Sequence, residues 1–156
     1  DIWTTFTKRD EHLWEEEAVE VFIDVDDLPD NYVEIEVSPA NVLFDSYITD
    51  PNHIDVPETA RLDLKGIRTA VQVEGTLNQR DDKDTVWTVE IALPFEDLTT
   101  EHTNAITDQT EIKINFYRLD SNKGMPRGAY SWSPTEKSFH KPSVFGRLIL
   151  IPNDRN

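Results

Sequence analysis

Residues 19–25 alternate between aliphatic side chains and other types, and this stretch constrains the fold more than any other. A period of two is typical of a β-strand that lays one face on a core. The aliphatic positions are predicted to face that core, and Glu20, Phe22 and Asp24 to lie on the opposite face. The strand would then carry an exposed ring beside carboxylates. A sugar can stack its C–H face on such a ring while its hydroxyls bind the acids.

Further stretches with strand character follow along the chain. They cover residues 33–38, 42–48, 69–77, 85–93, 111–119 and 147–151. Pro94 begins a short helical turn, because proline suits the first helical position. Seven or more short strands separated by turn clusters predict an all-β fold, an antiparallel β-sandwich of the immunoglobulin-like or jelly-roll type. We expect one domain over residues 1–151 and a frayed tail over residues 152–156.

The charge of the chain limits its partners. It carries 31 acidic and 15 basic residues among 156, a net charge of −16. This balance argues against nucleic acid or an anionic membrane as a partner. It favours a solvated acidic surface, with cation binding in acidic loops as the alternative. No run of 18 apolar residues is present, so no membrane span is predicted.

Sequence motifs give no support to catalysis. There is no cysteine, which excludes thiol chemistry, and no G-x-S-x-G, H-E-x-x-H or P-loop pattern. Glycoside hydrolysis needs two carboxyl groups at a set separation, and the sequence does not single out such a pair. We therefore expect a protein without independent enzyme activity.

The tryptophans differ in their surroundings. Trp87 alternates with Val89 and Ile91 and is predicted to lie in the core. Trp14 precedes three glutamates and Trp132 is flanked by serines, and neither belongs to a long apolar run. A pair of such rings usually marks a binding surface. Alternatively, each ring could close one end of the sandwich.

Six segments, taken in order, carry a family resemblance. They are L-W-E-E-E-A-V-E-V-F-I-D-V-D (13–26), Y-V-E-I-E-V-S-P-A-N-V-L-F-D (32–45), W-T-V-E-I-A-L-P-F-E-D-L (87–98), N-F-Y-R (115–118), S-W-S-P-T (131–135) and S-F-H-K-P-S-V-F-G-R-L (138–148). This series resembles the carbohydrate-binding module family 9-like domains, which belong to the wider DOMON-type β-sandwiches. The resemblance implies a non-catalytic module that binds a sugar or a glycan chain end. It also implies additional strands upstream of Asp1.

The same resemblance suggests site residues. Trp14 and Trp132 match two tryptophans that sandwich a terminal sugar, and Glu20 matches a glutamate that contacts it. The classical members have an arginine where this chain has Glu34 and Glu36, so we assign Glu36 to the site as a departure from the pattern.

Two residues of the N-F-Y-R segment complete the predicted polar contacts, Asn115 and Arg118. The planar guanidinium of Arg118 suits fixed polar recognition, but it could instead pair with a strand glutamate.

The resemblance also suggests a partner and a location. The partner is a linked polysaccharide-acting or surface module, and the protein would be secreted, periplasmic or attached to the cell surface. The alternative is a structural or protein-interaction sandwich that has lost sugar binding.

The resemblance brings two cofactors into consideration, calcium and haem. Family members bind structural calcium, and the turn with Asp24, Asp26 and Asp27 offers the oxygen ligands that calcium prefers. Some sandwiches of the wider superfamily bind haem through methionine with histidine or lysine, which would here be Met125 and His140. Since Met125 lies in a glycine-containing segment typical of a surface turn, we expect no haem.

Overall fold

Strands arranged in two sheets dominate the computed structural model, which describes residues 1–26, 28, 30–99, 106 and 110–151. Within these ranges the strands are β1 (Ala18–Asp24), β2 (Tyr32–Val37), β3 (Leu43–Ile48), β4 (Arg68–Glu74), β5 (Val86–Ala92), β6 (Glu111–Asp120), β7 (Gly128–Ser131) and β8 (Gly146–Ile149). Helical structure in the described residues is confined to one short α-helix, α1 (Val56–Thr59), and 3-10 turns at Leu13–Glu15, Phe95–Leu98 and Pro142–Val144.

The larger sheet has the order β3-β2-β1-β6, and β6 carries two short strands on its far side. β7 pairs with the C-terminal part of β6 and β8 with its N-terminal part. The smaller sheet is the hairpin of β4 and β5. The pairs formed by these eight strands are all antiparallel, which confirms the predicted antiparallel β-sandwich. β1 lies at the centre of the larger sheet.

The core lies where the larger sheet faces the hairpin. Val21, Ile23 and Ile35 are buried there, together with Leu64, Leu98, Ile112 and Ile114. Ile91 of β5 packs against this cluster from the opposite side. The aliphatic face predicted for residues 19–25 is therefore the core face.

The second face of the larger sheet is also covered, and here the prediction of an exposed Phe22 is wrong. Phe22 is 0% exposed. It packs against Tyr32, Tyr117 and Phe145, with ring centroids 5.2, 4.8 and 6.1 Å away. Alternation indicates a solvated face only when no other segment covers it. In this chain, residues 133–145 pass over the sheet and bury that face as a second core.

The helical turns partly match the prediction. The turn after Pro94 is present as the 3-10 turn Phe95–Leu98, whereas α1 lies between the predicted strands 42–48 and 69–77, where no helix was predicted. The predicted tail, residues 152–156, lies outside the described residues. None of the described helices has the length and apolar character needed to cross a membrane.

Candidate functional site

A row of side chains crosses the covered face of the larger sheet. The strand register sets Phe44 opposite Glu36, Glu36 opposite Glu20, and Glu20 opposite Tyr117. Side chains at directly opposed positions project from the same face of a sheet. The sequence thus places an aromatic ring, two carboxyl groups and a phenol side by side across β3, β2, β1 and β6.

A pocket of about 350 Å³ opens over part of this row. That volume lies within the range of small-molecule sites, roughly 300–1,000 Å³. Its lining combines aromatic, aliphatic and charged side chains from several segments: Trp14, Glu20, Glu34, Phe44, Ser46, Ile54, Val56, Thr59, Leu119, Arg127, Phe139 and His140. The floor comes from the sheet and the walls come from the connections around it.

Trp14 reaches the pocket from the 3-10 turn Leu13–Glu15. Leu13 anchors this turn, because its side chain is buried against Ala18 and Phe44. The indole is half-buried, and it packs edge-on against Phe44 at 5.1 Å and is stacked with His12 at 4.5 Å. The ring is therefore supported by neighbours while part of its surface faces the pocket.

Three glutamates meet at the bottom of the pocket. Glu20, Glu34 and Glu36 each place a carboxylate oxygen within 4.8 Å of the others, and all three are buried. The Ser46 hydroxyl donates to Glu34 Oε2 at 3.1 Å. Glu20 Oε1 accepts no hydrogen bond, and the hydrogen-bond partner of Glu36 is the neighbouring Glu34 carboxyl group, with which it can share a proton. Like charges at this separation, out of water, oppose one another's ionisation.

The protonation of these groups follows from their burial. Burial and mutual repulsion raise the pKa of Glu20 and of Glu36 well above the usual range. Burial also raises the pKa of Glu34 to about 7, although hydrogen bonds with Glu36 and Ser46 act in the opposite direction. The charge of Arg127 lowers the pKa of Glu20 and Glu36, but burial outweighs it.

His140 forms a neutral wall of the pocket. Its Nδ1 lies 2.5 Å from the Tyr32 hydroxyl, and its ring tilts against Phe22 at 5.4 Å. Burial lowers the pKa of His140 to about 4. The imidazole is therefore uncharged near neutral pH and can serve a ligand as a hydrogen-bonding group.

Trp132 lies on the other side of the sheet. Its backbone N–H donates to the Phe116 carbonyl, and the two rings meet edge-on at 5.9 Å. Phe116 is opposite Val21, which belongs to the face toward the hairpin. Trp132 is 59% exposed there. A slot between Trp14 and Trp132 is thus not formed in this structure.

Asn115 is on the covered face, but its amide is occupied by structural contacts. Its Nδ2 donates to the Tyr117 hydroxyl at 2.8 Å and to the Ser133 carbonyl at 2.9 Å. Its Oδ1 accepts from the backbone N–H groups of Phe116 and Ser133. The amide therefore fixes the 133–145 segment to β6 and does not line the pocket.

Arg118 also has a structural position. It pairs with Val19 across the sheet and so projects toward the hairpin. Its Nη2 donates to Glu17 at 2.8 Å, and its guanidinium lies over the Trp87 ring at 4.9 Å. The structure does not bring Arg118 to the pocket. Trp87 itself is half-buried under this contact and belongs to none of the core clusters of the described residues, so the prediction that it lies in the core is wrong.

Of the predicted calcium turn, the structure describes Asp24 and Asp26. Asp24 Oδ1 accepts from the Asp26 N–H, and the Asp26 oxygens accept from Leu28 N–H and Asn31 Nδ2. Asp27 lies outside the described residues. In the part of the chain that the structure describes, the carboxylate group suited to a metal is the one at the bottom of the pocket.

Phe139, His140 and Arg127 are among the pocket residues that the sequence analysis did not assign as ligand contacts. Phe139 follows the β7 strand in the S-F-H-K-P segment and, with His140, forms a wall of the pocket near Trp14. Arg127 arrives from the connection between β6 and β7, where its Nη2 donates to the Glu16 carbonyl at 3.2 Å. An aromatic and a histidine together in a polar segment before a proline were the available signal for Phe139 and His140. Arg127 had none.

Two known proteins resemble the chain over most of its length. A protein of Arthroderma benhamiae described as “Extracellular protein” is 28% identical over an alignment of 153 positions, which covers 92% of this chain and 65% of that protein. A crystal structure of a “putative carbohydrate-binding protein” from Bacteroides uniformis has the same fold, with a TM-score of 0.64 at 20% identity. That similarity covers 92% of this chain and 65% of the other. The chain thus spans about two thirds of the length of each.

The order of motifs along the chain also matches a described family. The match extends over residues 1–150 of 156 and so includes every segment that forms the pocket. On this evidence the chain belongs to carbohydrate-binding family 9.

Proposed function

We infer that the chain is a non-catalytic domain that binds a sugar or a glycan chain end in the pocket beside Trp14. Membership of carbohydrate-binding family 9 supports a carbohydrate-binding role. The observation that carries the proposal is that Trp14, Phe139 and Glu20 line one pocket. This combination supplies flat apolar surfaces for the C–H faces of a sugar and a carboxyl group for its hydroxyls.

The polar groups of the pocket set the orientation of the sugar. Glu20 accepts or shares hydrogen bonds from hydroxyls at the floor, and Arg127 donates at the rim. Neutral His140 offers a further hydrogen-bonding group from the wall. A few fixed polar groups in an otherwise apolar pocket are the usual basis of small-ligand specificity.

The shape of the pocket favours a chain end over the middle of a polymer. Its lining comes from the 3-10 turn at Leu13–Glu15, from the sheet, from residues 54–59 and from residues 127–140. Walls on several sides suit a terminal residue better than a chain that must enter and leave. One short site gives modest affinity, and linkage to a polysaccharide-acting module would raise the effective concentration of that module on its substrate.

A location outside the cell is consistent with this role. The relative from Arthroderma benhamiae is described as extracellular. We propose a secreted, periplasmic or cell-surface protein, in which this domain contacts glycans directly.

The test is a binding titration against a panel of mono- and oligosaccharides by isothermal calorimetry, in a buffer with calcium. The expected result is saturable binding of one sugar class, which Glu20→Gln weakens at least tenfold. Glu90→Gln is the matched control, because Glu90 is exposed on the outer face of β5 and should bind as wild type does. Absence of binding across the panel would favour the protein-interaction alternative.

A further inference from the structure

One side of the pocket is aliphatic where the other sides are aromatic or polar. We call it the α1 wall, and it consists of Ile54, Val56 and Thr59. Ile54 packs against the cluster around Phe22, and Val56 packs against the cluster around Phe44, so both side chains are held from behind. Each is only half-buried and lines the pocket. Branched aliphatic side chains have no flat ring for stacking and no hydrogen-bonding group, so this wall suits an apolar group of the ligand.

The helix α1 fixes the position of this wall. Pro57 lies in its first turn, where the restricted φ of proline is favourable. The N–H groups of Glu58 and Thr59 donate to the Asp55 carbonyl at 3.0 and 2.9 Å. The Thr59 hydroxyl donates to the Val56 carbonyl at 3.4 Å, so its donor is used within the helix. None of the three described side chains of the α1 wall therefore has a free donor for a sugar hydroxyl.

The charges of the pocket nearly balance near neutral pH. The pKa values of Glu20 and Glu36 are raised well above the usual range, so both hold their protons and the negative charge of the three glutamates is that of Glu34. Arg127 lines the pocket with one positive charge, and His140 is neutral because its pKa is lowered to about 4. The pocket thus favours a neutral sugar over a uronic acid or an amino sugar.

A neutral hexose has few groups that suit an aliphatic wall. Its hydroxyls and its hydroxymethyl group are hydrogen-bonded to water before binding, and burying them against side chains without free donors is unfavourable. A 6-deoxyhexose carries a methyl group in place of the hydroxymethyl group. Contact between this methyl group and the wall removes apolar surface from water on both sides, which is favourable. The remaining hydroxyls are free to bind the polar floor at Glu20 and Glu34.

We propose that the pocket selects a 6-deoxyhexose whose methyl group lies against the α1 wall. This inference rests on the proposed function, because it names the class of sugar for the same site. Trp14 and Phe139 provide the stacking surfaces, and Glu20 binds hydroxyls at the floor. Ile54 and Val56 contact the methyl group and determine the selectivity.

The experiment compares pairs of sugars that differ by one oxygen atom. The chain is titrated by calorimetry in neutral buffer with D-quinovose and D-glucose, with L-fucose and L-galactose, and with L-rhamnose and L-mannose. These pairs sample different hydroxyl configurations. In the pair that binds most tightly, the Kd of the 6-deoxy sugar should be roughly tenfold lower, because the added hydroxyl loses its hydration against the wall.

The outcomes separate this inference from the proposed function. A 6-hydroxy sugar that binds as tightly as its 6-deoxy partner, or more tightly, would overturn the selectivity and leave sugar binding in place. Binding confined to a uronic acid, an amino sugar or a pentose of the wider panel would have the same consequence. Absence of binding to every sugar tested would overturn both.

Two variants and one control locate the selectivity. Val56→Thr and Ile54→Thr each place a hydroxyl in the α1 wall, and each should reduce the preference for the 6-deoxy sugar to about twofold or less, because a wall hydroxyl can bond the added hydroxyl. Val86→Thr is the matched control, since Val86 is 43% exposed on β5 and lies outside this pocket. It should keep the full preference.

The preference is a ratio of two Kd values measured on one variant, so a general weakening of binding does not imitate the expected result. Full preference in both wall variants, or loss of the preference in Val86→Thr, would overturn the proposal. Each wall variant tests the wall independently, and misfolding of one leaves the other decisive.

Discussion

Replacing Trp14 by alanine should weaken sugar binding, whereas replacing Trp132 should not. Both residues are tryptophans outside apolar runs, but the structure puts Trp14 at the pocket and Trp132 on the opposite face of the sheet. The pair of variants therefore separates the binding site proposed from the structure from the two-tryptophan slot suggested by the sequence.

The size of the Trp14 effect follows from the surface that a sugar would cover. If a sugar ring covers about 60 Å² of the indole, burial at about 25 cal/mol per Å² contributes about 1.5 kcal/mol. This corresponds to a roughly tenfold increase in Kd. The same substitution removes the contact with Phe44. Since Trp14 is only half-buried, the loss of stability should remain below the roughly 3–5 kcal/mol of a fully buried tryptophan.

The assay is calorimetric titration of wild type and of each variant with the tightest sugar in the panel, after circular dichroism has verified folding. Trp14→Ala should show a Kd at least tenfold higher, and Trp132→Ala should remain within twofold of wild type. Equal weakening by both substitutions, or weakening by Trp132→Ala alone, would refute the assignment of the pocket.

Three further predictions concern stability. Arg118→Met should lower the free energy of unfolding by up to about 3–5 kcal/mol in urea titrations, because it leaves the buried Glu17 carboxylate with only the Trp3 N–H as a donor. The sugar Kd should stay unchanged, and a stable variant with weaker sugar binding would contradict this. Phe22→Ala should cost about 3–5 kcal/mol, and a loss below about 1 kcal/mol would contradict a second core on the covered face. His140 has a pKa lowered from 6.5 to about 4, so the unfolded chain takes up the proton first as the pH falls. The stability advantage of wild type over His140→Gln should therefore shrink by up to about 3 kcal/mol between about pH 8 and pH 4, and an advantage that does not change with pH would contradict it.

The strands could be predicted because their periodicity is local. β2, β5 and β6 each alternate over at least six residues, and the antiparallel sandwich and family resemblance derived from such segments are both confirmed. What alternation does not determine is whether the second face is solvated. Phe22 was predicted to be exposed because nothing near it in sequence reveals that residues 133–145 will cover it.

The candidate site was predicted only where neighbours in sequence are neighbours in space. Trp14 and Glu20 belong to one continuous segment and do line one pocket. Trp132, Asn115 and Arg118 required knowledge of which face each position takes. One residue along a strand reverses the face, so Asn115 lies on the covered face while Arg118 points to the hairpin.

The most direct test of the central claim follows the four tryptophan indole N–H signals by NMR during a titration with oligosaccharide. The rings report separate locations, since Trp14 lines the pocket, Trp132 lies on the hairpin face, and Trp3 and Trp87 lie under Arg80 and Arg118. The account predicts a saturable shift of the Trp14 signal while the Trp132 signal remains in place. A saturable shift of Trp132 without Trp14 would contradict it.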